Sequence, residues 1–367
     1  MRNQDVFRGC LIGGAAGDAL GYPVEFLPEK VLFRQYGQPG ITAYRFQQDQ
    51  ALFSDDTQMT LFTAAGLLYG TARARTGGGP ADYARAINAA YLDWLETQTS
   101  SARRERGPCH SWLMNVPALF SRRSPGNTCM SALEAGGGGT PEAPVTRSKG
   151  CGGVMRVAPI GLYFEDRGWT NGQVARLGAE AAALTHGHPL GWMPAAMLAQ
   201  IIHEIGQDGT PLEEAVLDAL NMLDALWPQV PERTALAHLV EQATDLAAGD
   251  PDDLTAIHRL GEGWTGDEAL AIALYCALKY PGDLDRALIA AVNHRGDSDS
   301  TGAIAGNIVG AQIGYAAIPA KYKEKLELHD LVLELADDLW QDCPAREPVS
   351  PLWSSKYVDM SYRRSGS

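Results

Sequence analysis

Residues 9–21 read Gly9-Cys10-Leu11-Ile12-Gly13-Gly14-Ala15-Ala16-Gly17-Asp18-Ala19-Leu20-Gly21. Residues 302–314 read Gly302-Ala303-Ile304-Ala305-Gly306-Asn307-Ile308-Val309-Gly310-Ala311-Gln312-Ile313-Gly314. In both, a glycine returns every four residues, and positions four apart share one face of an α-helix. Inside a helix, glycine costs about 1 kcal/mol relative to alanine. Eight such positions therefore need an offset. Close approach of two helix backbones supplies one. The plainer alternative is a glycine-rich composition, with 40 glycines in 367 residues.

The same periodicity extends outward from these runs. Apolar residues at helical spacing mark 5–21, 57–72 and 81–96, the last with Tyr83, Ile87, Tyr91, Leu92 and Leu95 on one side. Segments 172–184, 190–206, 211–226, 232–248, 265–279, 284–293, 301–316 and 325–341 read alike. Period-two alternation is nearly absent, so the expected fold class is all-α. Glycine- and proline-rich stretches at 73–80 and 136–149 read as surface loops. Neither reads as a domain linker, because acidic motifs lie on opposite sides of both. A single domain over 1–343 is expected. Pro344, Pro348, Pro351 and a Ser/Arg ending mark 344–367 as an irregular tail.

The net charge of −14 argues against a general nucleic-acid-binding surface. It leaves room for a local phosphate site built from backbone amides. The six cysteines are scattered without a CxxC pair, which gives a disulfide scaffold or zinc site little support. The polar start Met1-Arg2-Asn3-Gln4-Asp5 does not read as a signal peptide. No apolar run is long enough to span a membrane. A reduced, cytoplasmic setting is the expectation.

Two acidic clusters stand some 240 residues apart: Ser54-Asp55-Asp56-Thr57 and Gly296-Asp297-Ser298-Asp299-Ser300-Thr301. Each leads into a helical run. Carboxylates beside hydroxyls are the hard oxygen donors that a pair of Mg²⁺ or Mn²⁺ ions takes, and no His/Cys cluster points to zinc. The second cluster lacks the glutamate that an EF-hand places at its twelfth loop position. The competing reading makes both clusters helix caps, with acids favoured in the first turn. Residues 150–153, Gly-Cys-Gly-Gly, offer free amides to a ribose or pyrophosphate, or form a simple turn. They lack the Gly-Lys-Ser/Thr ending of a nucleotide-hydrolase phosphate loop. His186 reads either as a ligand contact or as a structural histidine. Arg156 pairs either with a phosphate or with an internal carboxylate.

Taken together, the motifs resemble the ADP-ribosylglycohydrolases, relatives of the dinitrogenase reductase-activating glycohydrolase and of ADP-ribosylarginine hydrolase. Five elements carry the resemblance in order: Gly13–Gly21 followed by Glu25; Ser54–Met59; Ser148–Arg156; Thr185-His186; and Gly296–Gly306. It implies a compact orthogonal multi-helix bundle with two Mg²⁺ or Mn²⁺ ions. The implied reaction cleaves the bond from C1″ of ADP-ribose to an acceptor, with ADP-ribosylated arginine on protein as the expected substrate. The implied metal ligands are Ser54, Asp55, Asp56, Asp297, Asp299 and Ser300. Glu25, Asp55 and Asp56 are the implied catalytic carboxylates. Asn127, Gly150, Cys151, Gly152, Gly153, Met155 and His186 are the implied ligand contacts. The alternative expectation is an immunity protein that neutralises an ADP-ribosyltransferase toxin by occlusion, with or without hydrolysis.

The chain also departs from the pattern. Ser54 and Ser300 stand where many members have threonine. Ser124 occupies the place, three residues before Asn127, where some members carry an acid. The arginine run from Arg103 to Arg106 matches no family feature.

Overall fold

The computed structural model describes residues 3–103, 109–163, 168–249, 251–341 and 350–364. Within them the chain forms α1 (Gln4–Gly21), α2 (Glu29–Tyr36), α3 (Asp55–Arg73), α4 (Tyr83–Thr99), α5 (Asn127–Glu134), α6 (Ala158–Tyr163), α7 (Asn171–Ala183), α8 (Pro189–Asp208) and α9 (Leu212–Leu226). There follow α10 (Glu232–Gly249), α11 (Asp253–Leu260), α12 (Gly266–Lys279), α13 (Leu284–Val292), α14 (Ser298–Ala317), α15 (Ala320–Lys323), α16 (His329–Gln341) and α17 (Pro351–Tyr357). The β structure among the described residues is confined to isolated bridges. The fold is all-α, as the periodicity predicts.

Helices α1 and α14 run antiparallel, in contact through both glycine runs. A Cβ built on Gly9 would lie 2.3 Å from the carbonyl oxygen of Gly310, and one on Gly13 2.2 Å from that of Gly306. On Gly17 it would lie 1.9 Å from the oxygen of Gly302, and on Gly21 2.3 Å from that of Ser298. Any side chain on these faces would hold the helices apart. The glycines are therefore a packing device and not a compositional accident. Asn307 fastens the crossing by donating from Nδ2 to the Cys10 carbonyl at 2.9 Å. Because the pair is antiparallel, the C-terminal end of α1 meets the N-terminal end of α14.

Helix α13 packs against α14 and α1, while α12 bridges α14, α10 and α8. On the other side α3 packs on α4, with α7 and α8 paired beyond. Alanine, leucine and isoleucine fill the interior, with Trp94, Trp112, Arg156, Tyr91 and Tyr163 among the bulkiest buried side chains.

Two expectations are corrected. The helix expected over 325–341 begins only at His329. Lys325 and Leu328 take positive φ (59° and 51°), and the turn between them pairs with residue 51. Ala51 N–H donates to Lys325 O at 2.8 Å, and Glu327 N–H donates to Ala51 O at 2.9 Å. A tertiary pairing thus overrides local helical preference. Within the supposed irregular tail, Pro351–Tyr357 is a helix. Ser350 caps it by accepting from Trp353 N–H at 3.2 Å, and Trp353 and Tyr357 are buried. Lys356 Nζ anchors it to Glu334 at 2.8 Å and Asp338 at 2.7 Å on α16. Residues 342–349, with Cys343, Pro344 and Pro348, lie outside the described residues.

Candidate metal and substrate site

Asp18, at the end of α1, organises the first acidic cluster. Its carboxylate is fully buried and accepts from Ser54 N–H (2.8 Å), Thr57 N–H (3.0 Å) and the Thr57 hydroxyl (2.5 Å). These groups belong to the start of α3, where backbone donors have no helical partner. Ser54 is the N-cap and accepts from Asp56 N–H at 3.2 Å. With the amides satisfied by Asp18 and Ser54, the side chains of Asp55 and Asp56 are free to face a cavity. Asp55 Oδ2 accepts from Gly126 N–H at 3.3 Å. The sequence places Asp18 beside the glycine run but reveals no role for it. Its partners appear only when α1 meets α3.

The second cluster opens α14. Asp297 is the N-cap and accepts from Ser300 N–H at 3.2 Å, and Asp299 accepts from the same N–H at 3.0 Å. Gly296, at φ 118°, sits where a Cβ would fall 1.9 Å from the Glu262 carbonyl oxygen. Asp297 N–H donates to that oxygen at 2.8 Å. The Cys151 thiol donates to Asp297 Oδ2 at 2.6 Å. Thr301 turns inward, donating to the carbonyls of Ala291 (2.7 Å) and Asp297 (2.8 Å). Each cluster therefore caps a helix and also projects carboxylates.

The α1–α14 crossing brings the clusters together. Glu25, Asp55, Asp56, Asp297, Asp299 and Ser300 line one cavity of about 330 Å³. One oxygen each from Glu25, Asp297 and Asp299 lie within 4.8 Å of one another. Ser54 stands behind this wall, fully buried. Burial and the Asp299 charge hold Asp55 and Asp56 well above the usual carboxylate range. The same causes push Glu25 up to about 11 and Asp18 up to about 7. Burial also raises Asp297, and burial with the Asp297 charge raises Asp299 further. Six carboxyl groups thus crowd a space that cannot hold all their charges unaided.

The opposite wall comes from the glycine loop and α5. Asn127, Gly150, Cys151, Gly152, Met155 and His186 all line the cavity. Gly153 lies behind, where a Cβ would meet the Gly191 carbonyl oxygen at 2.6 Å. The loop is tied to the segment before α12: Cys151 N–H donates to Trp264 O at 3.2 Å, and Gly266 N–H to Lys149 O at 2.8 Å. Trp264 stacks on Phe26 at the mouth, with ring centroids 5.9 Å apart and planes 21° from parallel. Sequence reasoning missed both rings. The only signal in the sequence is that Phe26 directly follows Glu25; its 67% exposure beside buried Glu25 emerges from the fold. Ser124, at positive φ (54°), also lines the cavity. Of the arginine run, Arg103 bonds Asn115 at 3.1 Å, and residues 104–106 lie outside the described residues.

Fold and cavity define an all-helical protein with an acidic cleft, closed on one side by a glycine loop. Residues 1–348 match the family model for ADP-ribosylglycohydrolase. ADP-ribosylhydrolase ARH3 of Bos taurus is 24% identical over 92% of this chain and 93% of its own length. ADP-ribosylarginine hydrolase Tri1 of Pseudomonas putida is 24% identical over 96% of this chain and 82% of its own. A solved ADP-ribosylglycohydrolase-related protein complex superposes with a TM-score of 0.57 at 25% identity, covering 92% of this chain and 98% of that one. The chain belongs to the ADP-ribosylglycohydrolase family, and its activity class is ADP-ribosyl hydrolysis. No described helix is long and apolar enough to cross a membrane.

Proposed function

We propose that the protein hydrolyses the bond between ADP-ribose and an arginine side chain on an ADP-ribosylated protein, in a reaction that depends on divalent metal. The observation that carries this reading is the convergence of both acidic clusters on one cavity.

The residues present fit a metal centre. Asp56 Oδ2 and Glu25 Oε2 are buried without a hydrogen-bond partner, which is costly unless a cation or proton satisfies them. All of the donors are hard oxygens, apart from the adjacent Cys151 thiol, and this favours Mg²⁺ or Mn²⁺. Ser54, Asp55, Asp56, Asp297, Asp299 and Ser300 would hold two such ions. Bound metal would supply the charge compensation that lets these carboxylates ionise together, and Lewis acidity toward the reacting oxygens.

The chain's own groups divide the remaining work. Glu25, whose Oε2 has no hydrogen-bond partner, is placed to exchange a proton with the leaving group or water. Asp55 and Asp56 accept protons on the side of the attacking water. His186 and the loop from Gly150 to Met155, with Asn127, orient ribose and diphosphate. The carboxylate-rich wall favours the positive charge that develops at C1″ during glycosidic cleavage. It equally favours a cationic guanidinium acceptor. The name of the Pseudomonas putida relative supports the arginine reading.

The test is a product assay on ADP-ribosylated arginine, serine and nucleic-acid substrates, with Mg²⁺, with Mn²⁺ and with EDTA. Free ADP-ribose should appear from the arginine substrate with metal and vanish with EDTA. Release from serine or nucleic acid alone would reassign the acceptor. Release of AMP or phosphate would make the protein a phosphoesterase and defeat the proposal.

A further inference from the structure

Arg156 has no exposed surface, and among the described residues its contacts are to neutral groups. A guanidinium buried without a counter-ion is expensive, so its surroundings must use it. The sequence allows a phosphate or a carboxylate partner, and the structure shows neither. Nη2 donates to Ala181 O at 3.1 Å and to Thr185 Oγ1 at 2.7 Å. The guanidinium carbon lies 4.3 Å from the centroid of the Tyr91 ring, a cation–π arrangement.

The chain of hydrogen bonds continues to the cavity. Thr185 Oγ1 lies 2.8 Å from His186 Nδ1. A guanidinium can only donate, so the Thr185 oxygen accepts from Arg156 and its own O–H is left to donate. Directed at His186 and not at the neighbouring Cys129 sulfur, that O–H makes Nδ1 an acceptor and places the ring proton on Nε2. The other tautomer would turn the positive end of an N–H dipole toward the Arg156 cation. Nε2 faces the glycine loop, 3.3 Å from the Cβ position of Gly150 and 3.2 Å from that of Gly152.

We infer that Arg156 is a positioning residue which, through Thr185, holds His186 as the neutral imidazole with its proton on Nε2, aimed into the cavity. Burial and the Arg156 charge together lower His186 to about 3, in keeping with this arrangement. The imidazole is then a fixed donor throughout the neutral range, suited to a ribose hydroxyl or phosphate oxygen. The consequence for binding rests on ADP-ribose being the ligand, as proposed above. The tautomer does not depend on it.

The experiment uses the full chain without ligand, in EDTA, with ¹⁵N-labelled histidine. Long-range ¹H–¹⁵N correlations report the tautomer, and His186 is assigned by the signal lost in His186→Gln. The expected result is the Nε2–H form, unchanged from about pH 5 to 8. Thr185→Val, close in shape, should mix the tautomers and weaken ADP-ribose binding, read by calorimetry, by about tenfold. Thr185→Ser should restore both. An Nδ1–H signal in the wild type would overturn the inference, and so would an unchanged tautomer in folded Thr185→Val. Should Thr185→Val not fold, the wild-type spectrum decides alone. If the tautomer is as expected but ADP-ribose fails to bind wild type, the functional reading falls and the positioning role stands.

Discussion

Gly17→Ala tests the central crossing. The new methyl would sit 1.9 Å from the Gly302 carbonyl oxygen and 2.3 Å from its carbon. Both atoms are backbone, so neither can swing aside. Helices α1 and α14 must separate by roughly 1 Å to reach tolerable contact. Overpacking of this kind costs about 1–3 kcal/mol, and rigid backbone places it at the upper end. Alanine's better helix propensity returns about 1 kcal/mol. The net loss is then about 2 kcal/mol, or a melting temperature lower by about 2–3 °C in a chain of this size. Separation also shifts Asp18 and the start of α14 relative to one another, so the stabilisation conferred by Mn²⁺ should shrink. Thermal unfolding followed by circular dichroism, with EDTA and with Mn²⁺, measures both effects. Gly249→Ala, where a Cβ meets nothing within 4 Å, is the control and should melt at or slightly above the wild type. A Gly17→Ala protein that melts with the wild type and keeps its full Mn²⁺ shift would refute both the close crossing and its role in assembling the site.

Other perturbations separate the remaining contributions. Asp18, Glu25, Asp55, Asp56, Asp297 and Asp299 all titrate higher in the folded chain than in the unfolded one. Their protonated forms stabilise the metal-free fold at low pH, and this is lost as pH rises through the folded values, for Asp18 between about 4 and 7. His186, depressed to about 3, acts in the opposite sense as pH falls below its ordinary value, but it is one group against six. Melting in EDTA should therefore fall from about pH 5 to 8 while Mn²⁺ stabilisation grows, because metal and protons compete. Asp299→Asn removes the charge that most raises Glu25, Asp55 and Asp56 after burial itself. At pH 8 it should melt above the wild type in EDTA and below it in Mn²⁺. Arg123→Met strands Glu327, now bonded at 2.6 Å and only 7% exposed. It should cost about 2 kcal/mol by chemical denaturation, with Arg123→Met/Glu327→Leu recovering most of that.

The glycine spacing and the two acidic clusters were legible because each is a local pattern with a fixed period or composition. The short helices α2, α5, α6, α11, α15 and α17 were not, since eight residues or fewer leave no periodic signature. Asp18 hid its role for a different reason. A carboxylate that accepts three hydrogen bonds from a helix start 36 residues and more away looks, in sequence, like any acid at a helix end. Arg156 and Thr185-His186 were each visible, but the bond joining them spans 29 positions and passes through the core. Glu327 lay inside an expected helix, and its pairing with Arg123 depends on a turn that forms only against residue 51.

Pairing α1 with α14 also sets an order of assembly. The N-terminal helix has its partner almost 300 positions later, among the most distant contacts the chain makes. A chain emerging from its N-terminus carries Ser54, Asp55 and Asp56 long before Asp297, Asp299 and Ser300 exist. Until α14 is made and seated, the first cluster is only a helix cap with half a set of oxygens. Cation capture by both clusters is therefore a certificate of completion, available only to a molecule whose first helix and α14 have found each other.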